Sequence, residues 1–176
     1  MSKLLLKTAI NQQSEAISLE CGKIEKILKT VQPLFETCAV NIGSRYMTKA
    51  IIVDTDILID LARGEEMSRE CLEKLETQSM LEISVITKME LFVGCRNKKE
   101  QKEVQVFLNS FPIHDLTPEI SNKCCELLNE YSLSHHLLIP DALIAATAIS
   151  YQKPLISKNQ KDFRFIDGLD LLPYPW

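Results

Sequence analysis

The stretch Ala50-Ile51-Ile52-Val53-Asp54-Thr55-Asp56-Ile57-Leu58-Ile59-Asp60 organises the rest of the sequence. It opens with a short apolar run rich in β-branched residues, which is typical of a strand buried on both faces. Asp54 stands where that strand should end. In open α/β sheets ligands bind at this edge, because strand ends and helix starts leave a crevice there. The stretch therefore predicts a functional pocket beside Asp54.

Three further acidic residues are predicted to lie at strand-to-helix junctions: Glu90, Asp141 and Asp162. One pocket would then collect four carboxylates. Crowded carboxylates repel one another and raise their own pKa values, so a chain that gathers them normally supplies a cation. Oxygen ligands are those preferred by hard divalent ions such as Mg²⁺ or Mn²⁺. The pattern therefore predicts a divalent metal site.

Each of these acidic residues also has a purely structural interpretation. Residues 87–90 (Thr-Lys-Met-Glu) fit a capping box, in which a hydroxyl and a carboxylate satisfy amides at a helix start. Asp141, beside a proline, would be a favoured anion in a first helical turn. Residues 159–162 are also cap-like, and Asp54 could cap the next helix. Asp56, two residues after Asp54, doubles the negative charge in one place, and this crowding favours a metal site over four independent caps.

The composition indicates one domain with an appendage. The chain has 176 residues, a mass of 20.0 kDa and 45% hydrophobic residues, which is enough for a proper core. Its apolar runs are short or interrupted by charge, so we expect no signal peptide, no membrane span and a cytoplasmic location. The six cysteines have no C-x-x-C spacing and are predicted to be reduced core residues.

Residues 1–46 are predicted to form a helical extension followed by a linker at 41–45. The helix would start at Ser14 and falter at Pro33. Its apolar stripe would dock on the main domain or on a second copy of the chain; an extension arising from an upstream start is an equal alternative. The stripe has members at steps of three and four, namely Ile17, Cys21, Ile24, Leu28, Val31 and Phe35.

Residues 47–176 show predicted strands and helices in alternation. The strands lie near 50–54, 81–84, 112–116, 153–157 and 169–172, and the helices near 57–62, 66–78, 87–95, 98–110, 118–133 and from Pro140 onward. Alternation of this kind implies a mostly parallel sheet with helices on both faces. The predicted fold class is therefore an α/β/α sandwich.

The charge distribution argues against simple electrostatic binding of nucleic acid. The net charge is −4; residues 1–46 carry six Lys/Arg against four Glu, and residues 47–176 carry 14 Lys/Arg against 20 Asp/Glu. Nucleic-acid binders are usually basic, because neutralising phosphates and releasing counterions supplies much of their affinity. Two local basic clusters remain, one at residues 96–102 and one at residues 158–164.

The motifs together resemble the PIN-domain ribonucleases of the VapC type, the toxin half of bacterial toxin–antitoxin pairs. Four segments carry the resemblance in the family's order and spacing, over all of residues 47–176. They are Ile51-Ile52-Val53-Asp54-Thr55-Asp56-Ile57-Leu58-Ile59-Asp60-Leu61, then Ile83-Ser84-Val85-Ile86-Thr87-Lys88-Met89-Glu90-Leu91 with Gly94, then Ile139-Pro140-Asp141-Ala142-Leu143-Ile144-Ala145-Ala146-Thr147-Ala148, and Leu155-Ile156-Ser157-Lys158-Asn159-Gln160-Lys161-Asp162-Phe163. The resemblance implies a PIN fold for this segment and leaves residues 1–46 outside it.

The resemblance also implies roles for individual residues. It makes Asp54, Glu90 and Asp141 the acidic core of a metal site. In the last segment Ser157 stands where the family usually has Thr, and Asn159 and Asp162 share the possible role of fourth member. Asp162 is favoured, with Asn159 as its polar neighbour. Thr55 and Thr87 are candidates to orient water or phosphate, and Asp56 lies close by as a supporting residue.

The activity that the resemblance implies is Mg²⁺-dependent hydrolysis of RNA. One or two ions would activate a water and hold the scissile phosphate for an in-line displacement, leaving 5′-phosphate and 3′-hydroxyl ends. The substrate would be a tRNA or another structured RNA, read by loops and basic residues at the rim. A cognate antitoxin and a homodimer are the expected partners.

Two alternatives stay open on the residues alone. The pair Asp54 and Asp56 is the D-x-D of haloacid-dehalogenase-type phosphatases, although Leu58 stands where that family has Thr or Val and no paired-Asp motif follows. A non-catalytic module that binds RNA or a protein is the other alternative. The presence of all four acidic residues argues against it, since a degenerate domain has no need of them.

Overall fold

The computed structural model describes residues 49–176. The predicted N-terminal helix and linker lie outside the described residues, so the extension remains a prediction. The strands are β1 (Lys49–Val53), β2 (Ser79–Ser84), β3 (Ile113–His114), β4 (Leu155–Ile156) and β5 (Leu171–Leu172). The helices are α1 (Thr55–Arg63), α2 (Glu66–Glu76), α3 (Val85–Val93), α4 (Lys98–Leu108), α5 (Pro118–Tyr131) and α6 (Ile139–Ser150), with a 3₁₀ turn at Gln160–Asp162.

Within the described part, the strands form one sheet in the order β3-β2-β1-β4-β5. Every neighbouring pair is parallel, which confirms the predicted sheet; Ile51 is aligned with Leu81 of β2, and Ile52 with Leu155 of β4. The chain moves outward from β1 to β3 and then returns to the other side of β1. The carboxyl ends of β1 and β4 therefore flank the point where the strand order reverses, which is where open α/β sheets bind ligands.

Successive side chains of β1 serve two hydrophobic cores on opposite faces of the sheet. Ile51 and Val53 belong to the core formed with α1, α2 and α4, whereas Ile52 belongs to the core formed with α5 and α6. All three side chains are almost completely buried. This division gives the predicted α/β/α sandwich and explains why β1 is apolar on both sides.

Two helices begin directly where their preceding strands end. Asp54 is the N-cap of α1, and Ser84 is the N-cap of α3, with its hydroxyl accepting a hydrogen bond from the Ile86 amide at 3.2 Å. The capping box predicted at Thr87 and Glu90 is therefore wrong, because α3 starts at Val85 and both residues lie inside it. The direct transitions bring side chains of α1 and α3 to the same edge of the sheet.

Candidate metal and active site

Asp54 is a buried helix cap that also faces other carboxylates. Only 5% of the residue is exposed, and its Oδ1 accepts a hydrogen bond from the Thr55 amide at 2.7 Å. Burial raises the pKa of Asp54 well above its ordinary value, and the charges of Asp56 and Asp141 raise that pKa further. Hydrogen bonds from Ser157 and Thr55 lower it only in part. The cap and pocket interpretations are thus compatible for this residue.

Asp141 lies in the first turn of α6, but the predicted strand-to-helix junction is wrong there, because α6 follows helix α5 through a loop. Its pKa is raised to about 7, first by burial and then by the negative charges of Glu90, Asp162 and Asp56. These charges come from α1, α3 and the 3₁₀ turn after β4. The fold therefore brings the acidic residues from all four motifs within electrostatic range of one another.

Glu90 is held by a hydrogen bond from the neighbouring helix. The Thr55 hydroxyl donates to Glu90 Oε2 at 2.5 Å, which joins the start of α1 to the middle of α3. Burial raises the pKa of Glu90, the Thr55 hydrogen bond opposes that rise, and the charge of Asp56 adds to it. In this conformation Thr55 orients a carboxylate.

Asp56 anchors the loop that follows β4. Its side chain accepts hydrogen bonds from the amides of Lys158 at 3.3 Å and Asn159 at 2.9 Å, and from the Ser157 hydroxyl at 3.3 Å. Burial raises the pKa of Asp56, while these hydrogen bonds lower it. Sequence reasoning missed this anchoring role of Ser157 and Lys158. The position of both residues just after the strand next to β1 is the signal that points to it.

Asp162 and Asn159, the two candidates for the fourth position, contact each other. The Asn159 side-chain amide donates a hydrogen bond to Asp162 Oδ2. Asp162 also contributes to the raised pKa of Asp141, so its charge lies near the other carboxylates. Because the two side chains are joined by this hydrogen bond, either could supply an oxygen atom at the edge of the site.

Thr87 lies one helical turn before Glu90 on α3. It is fully buried, and its hydroxyl has no hydrogen-bond partner among residues 49–176. A buried hydroxyl without a partner costs free energy and is unusual in folded proteins. This orphaned group therefore marks a polar position close to the carboxylates.

The donor set fits a hard divalent cation by its chemistry. Asp54, Glu90 and Asp141 offer only oxygen atoms, and no Lys or Arg within residues 49–176 forms an ion pair with any of them. In the described part of the chain, however, no three His, Cys, Asp or Glu side chains are arranged to hold one ion directly. Among these side chains, Glu90, Asp56 and Asp162 accept the hydrogen bonds described above. Side-chain rotation would be needed to bring the oxygens onto one ion.

Each of the two basic clusters contains some side chains that form ion pairs and some that stay exposed. In the first cluster, Arg96 pairs with Glu100 at 3.0 Å and Lys99 with Glu103 at 3.7 Å along α4. In the second cluster, Lys158 forms an ion pair with the buried Asp60 of α1. Exposed side chains that form no ion pair inside the described part occur in both clusters: Lys98 and Lys102 in the first, and Lys161 and Arg164 in the second. No helix among residues 49–176 is long and apolar enough to cross a membrane.

Comparison with known proteins finds one family and a consistent set of relatives. Residues 51–169 match the PIN domain family. Ribonuclease VapC10 of Mycobacterium tuberculosis is 33% identical over 120 residues, which are 68% of this chain and 90% of the relative. Ribonuclease VapC1 of Methanocaldococcus jannaschii is 31% identical over 126 residues, which are 70% of this chain and 86% of the relative.

Solved structures with the same fold include proteins from toxin–antitoxin complexes. A chain of a toxin–antitoxin complex from Klebsiella pneumoniae matches with a TM-score of 0.59 and 32% identity, covering 72% of this chain and 98% of that one. A chain of VapBC2 from Rickettsia felis, bound to a promoter DNA fragment, matches with a TM-score of 0.60 and 27% identity, covering 70% and 97%.

Proposed function

Because this chain belongs to the PIN-domain family, we propose that it is a metal-dependent endoribonuclease of the VapC type and the toxin of a toxin–antitoxin pair. The observation that carries the activity is a group of buried and half-buried carboxylates near the switch point of the sheet, Asp54, Glu90 and Asp141, which form no ion pair with a Lys or Arg of residues 49–176. Their pKa values are all raised, with that of Asp141 reaching about 7. Strongly perturbed carboxylates in such a crevice are typical of functional sites. The names of the relatives support RNA as the substrate.

The proposed ligands of Mg²⁺, or of Mn²⁺, are Asp54, Glu90 and Asp141, with Asp162 or Asn159 completing the set. When bound, the ion would supply positive charge to the scissile phosphate and acidity to the attacking water. The raised pKa values mean that part of the carboxylate population is protonated near neutral pH. Ion binding must displace those protons, so we expect the affinity for the ion to rise with pH through about 7.

Other residues of the site would position its parts. Thr55 holds Glu90 in place, and Asp56 fixes the loop after β4 beside the start of α1. We propose that Lys161 and Arg164 contact RNA phosphates, since both are exposed and carry no ion pair within residues 49–176. Specificity for a particular RNA would come from this rim and not from the carboxylates.

We further propose that a cognate antitoxin binds this chain and that the chain forms a homodimer. Structural neighbours of this fold are described as toxin–antitoxin complexes, which supports the antitoxin. Exposed apolar side chains on α3 also support a protein contact near Glu90: Met89 is 50% exposed and Val93 is 71% exposed. Apolar side chains grouped on one helix often mark such contacts.

The test is incubation of the purified protein with total RNA in the presence of Mg²⁺ or of EDTA, followed by mapping of the cleaved ends. We expect cleavage in Mg²⁺ alone, with 5′-phosphate and 3′-hydroxyl ends. An Asp54→Asn variant purified in parallel controls for contaminating ribonucleases. Equal cleavage in EDTA, or by the variant, would contradict the proposal; turnover of a small phosphomonoester instead would favour the phosphatase alternative.

A further inference from the structure

An aromatic cluster lies between the chain segments that carry Asp141 and Asp162. His135, in the loop before α6, stacks on Phe165 with ring centroids 4.1 Å apart and ring planes inclined by 20°. Tyr131, at the end of α5, completes the cluster at 5.2 Å from Phe165 and 5.8 Å from His135. Tyr131 is buried, Phe165 is half-buried and His135 is exposed. The cluster therefore reaches from the core to the surface.

The His135 ring is exposed but held in place. The Ser134 hydroxyl and His135 Nδ1 share a hydrogen bond of 2.9 Å, and the His135 amide donates to the Tyr131 carbonyl at 2.9 Å. The Tyr131 hydroxyl in turn accepts a hydrogen bond from the Asp167 amide at 3.3 Å. One face of the His135 ring covers Phe165, and because the residue as a whole is exposed, we infer that the other face is open to a ligand. A ligand that stacks there would not have to immobilise the ring.

The cluster is close to the candidate active site along the chain. Phe165 follows Asp162 by three residues, which limits the separation of their α-carbons to about 11 Å. Asp162 lies near Asp141, since its charge raises the pKa of Asp141. The intervening Arg164 is exposed, as is Lys161 just before Asp162. Phe165 of the cluster and two exposed cations thus lie within three residues of Asp162, whose charge acts on Asp141.

We propose that His135, supported by Phe165, is a stacking site for a nucleobase of single-stranded RNA beside the cleaved bond. This inference rests on the proposed ribonuclease function and adds a substrate-binding residue to it. Unpaired bases stack on aromatic and histidine rings, and nearby cations hold the phosphates that flank them. The site would select for RNA that is unpaired next to the scissile phosphate, because a paired base has no free face to offer.

The first test is binding in EDTA, where RNA cleavage is suppressed. The probe is a short single-stranded oligoribonucleotide carrying a fluorescent purine analogue that is quenched when it stacks. We expect His135→Ala to weaken binding by about 10-fold and to remove the quenching. His135→Phe should keep both, because it preserves the stacking surface. Thermal unfolding of each variant separates loss of the site from loss of the fold.

Tyr151→Ala is the matched control. Tyr151 is also an aromatic ring, 40% exposed and in contact with a histidine ring, with its centroid 4.1 Å from that of His114 and the two planes inclined by 41°. It lies at the opposite end of α6 from Asp141. We expect this variant to bind the oligoribonucleotide with unchanged affinity and unchanged quenching.

The second test is cleavage kinetics in Mg²⁺. His135→Ala should raise KM by about the same factor as it weakens binding, with kcat changed less than about twofold, since the residue binds substrate away from the reacting atoms. Unchanged binding and KM in His135→Ala, while the parent cleaves RNA, would overturn the stacking site and leave the ribonuclease function standing. Binding that depends on His135 in a protein that cuts no RNA would overturn the function and leave the stacking site. The stacking site would also be overturned if His135→Ala lost binding to a protein partner while its binding to RNA stayed unchanged. A parent protein that neither binds nor cuts RNA would overturn it as well.

Discussion

Two groups of buried or half-buried carboxylates lie beside the same sheet and differ in what surrounds them. Glu82 on β2 is 7% exposed and contacts both the Lys153 ammonium group and His114 Nε2. Asp54, at the end of β1, is 5% exposed and has negative neighbours. We call the first group the paired cluster (Glu82, His114 and Lys153) and the second the acidic site (Asp54, Asp56, Glu90 and Asp141).

Burial raises the pKa of carboxylates in both groups, and the neighbouring charges decide whether the pKa ends above or below its ordinary value. Burial raises the pKa of Glu82, but hydrogen bonds and charge from Lys153 and His114 outweigh it and leave the pKa below its ordinary value. In the acidic site, burial and neighbouring negative charges act in the same direction and raise the pKa of Asp141 to about 7. The fold satisfies one group internally and leaves the other to be neutralised by protons or a cation.

The largest expected difference between the groups is in catalysis. Asp54→Asn and Asp141→Asn should each reduce Mg²⁺-dependent RNA cleavage by at least about 1000-fold, or about 4 kcal/mol in the barrier, because each removes a proposed ligand of the ion. Glu82→Gln, matched in chemistry, should keep the parent's rate among the molecules that remain folded. Single-turnover cleavage of a defined RNA measures this; full activity in both site variants would show that the site is misassigned.

The next largest effect is on the free energy of unfolding and concerns the paired cluster. Glu82→Gln should lower the free energy of unfolding by about 3 kcal/mol, because it leaves the Lys153 charge partly buried without its counter-charge. Urea unfolding measures the loss. The double variant Glu82→Gln with Lys153→Met should recover part of it, and an unchanged urea midpoint in Glu82→Gln would show that the pair contributes nothing.

The pH dependence of stability should distinguish the groups by sign. The pKa of Asp141 is about 7 when folded against an ordinary value of 3.8, so the folded state binds more protons between these values. In EDTA, the free energy of unfolding should therefore rise as pH falls, by about 2 kcal/mol from pH 7.5 to pH 5.5 for this residue. Asp141→Asn should be more stable than the parent at pH 7.5 and should lose most of this dependence. The raised pKa would be contradicted if the parent's free energy of unfolding stayed constant or decreased as the pH was lowered from 7.5 to 5.5.

Glu82 should behave in the opposite way. Its folded pKa lies below the ordinary value of 4.5, so its contribution is present above pH 4.5 and is lost as pH falls through the folded pKa. The paired cluster therefore weakens only in acid, in a range where the acidic site has already gained its protons. Comparing Glu82→Gln with the parent below pH 4.5 isolates this contribution, and an equal difference at all pH values would contradict it.

The smallest effect is stabilisation by the ion. Mg²⁺ at about ten times its dissociation constant should raise the free energy of unfolding by about 1.4 kcal/mol, since it binds the folded state alone. Thermal unfolding with Mg²⁺ or EDTA at constant ionic strength measures the gain. It should be absent in Asp141→Asn and kept in a Lys161→Ala control, and an equal gain in all three proteins would indicate non-specific salt effects.

Most of the architecture could be predicted because its signals are local. The apolar run before Asp54, the helix predicted from residue 118 and the alternation of elements depend on neighbouring residues, and the structure confirms each of them. The start of α3 could not be predicted in the same way. Ser84 is both the last residue of β2 and the N-cap of α3, and no loop residue marks the change. The Thr87–Glu90 pattern therefore suggested a cap three residues too late.

The contacts within the sites depend on pairs that are distant in the sequence. Lys153 and Glu82 are 71 residues apart, and His114 and Glu82 are 32 apart, so no local pattern joins them. A glutamate within a strand is ordinarily read as facing solvent, which hid the paired cluster. Asp54 was accessible to prediction for a different reason, since it stands at the carboxyl end of a strand, the edge where open α/β sheets bind ligands. Asp141 was not, because α6 follows helix α5 and not a strand, and only the family resemblance placed it with Asp54.

The hydrogen bonds from the loop after β4 to Asp56 make one carboxylate serve two elements at once. A cation that binds Asp56 must compete with those amides for its oxygens. A molecule that binds the loop and keeps it in place would stabilise the same hydrogen bonds. By thermodynamic linkage, the two effects are reciprocal: a ligand on the loop changes the affinity for the ion by the same factor as the ion changes the affinity for that ligand. Occupancy of the loop would thus change how tightly the domain holds a cation near Asp56.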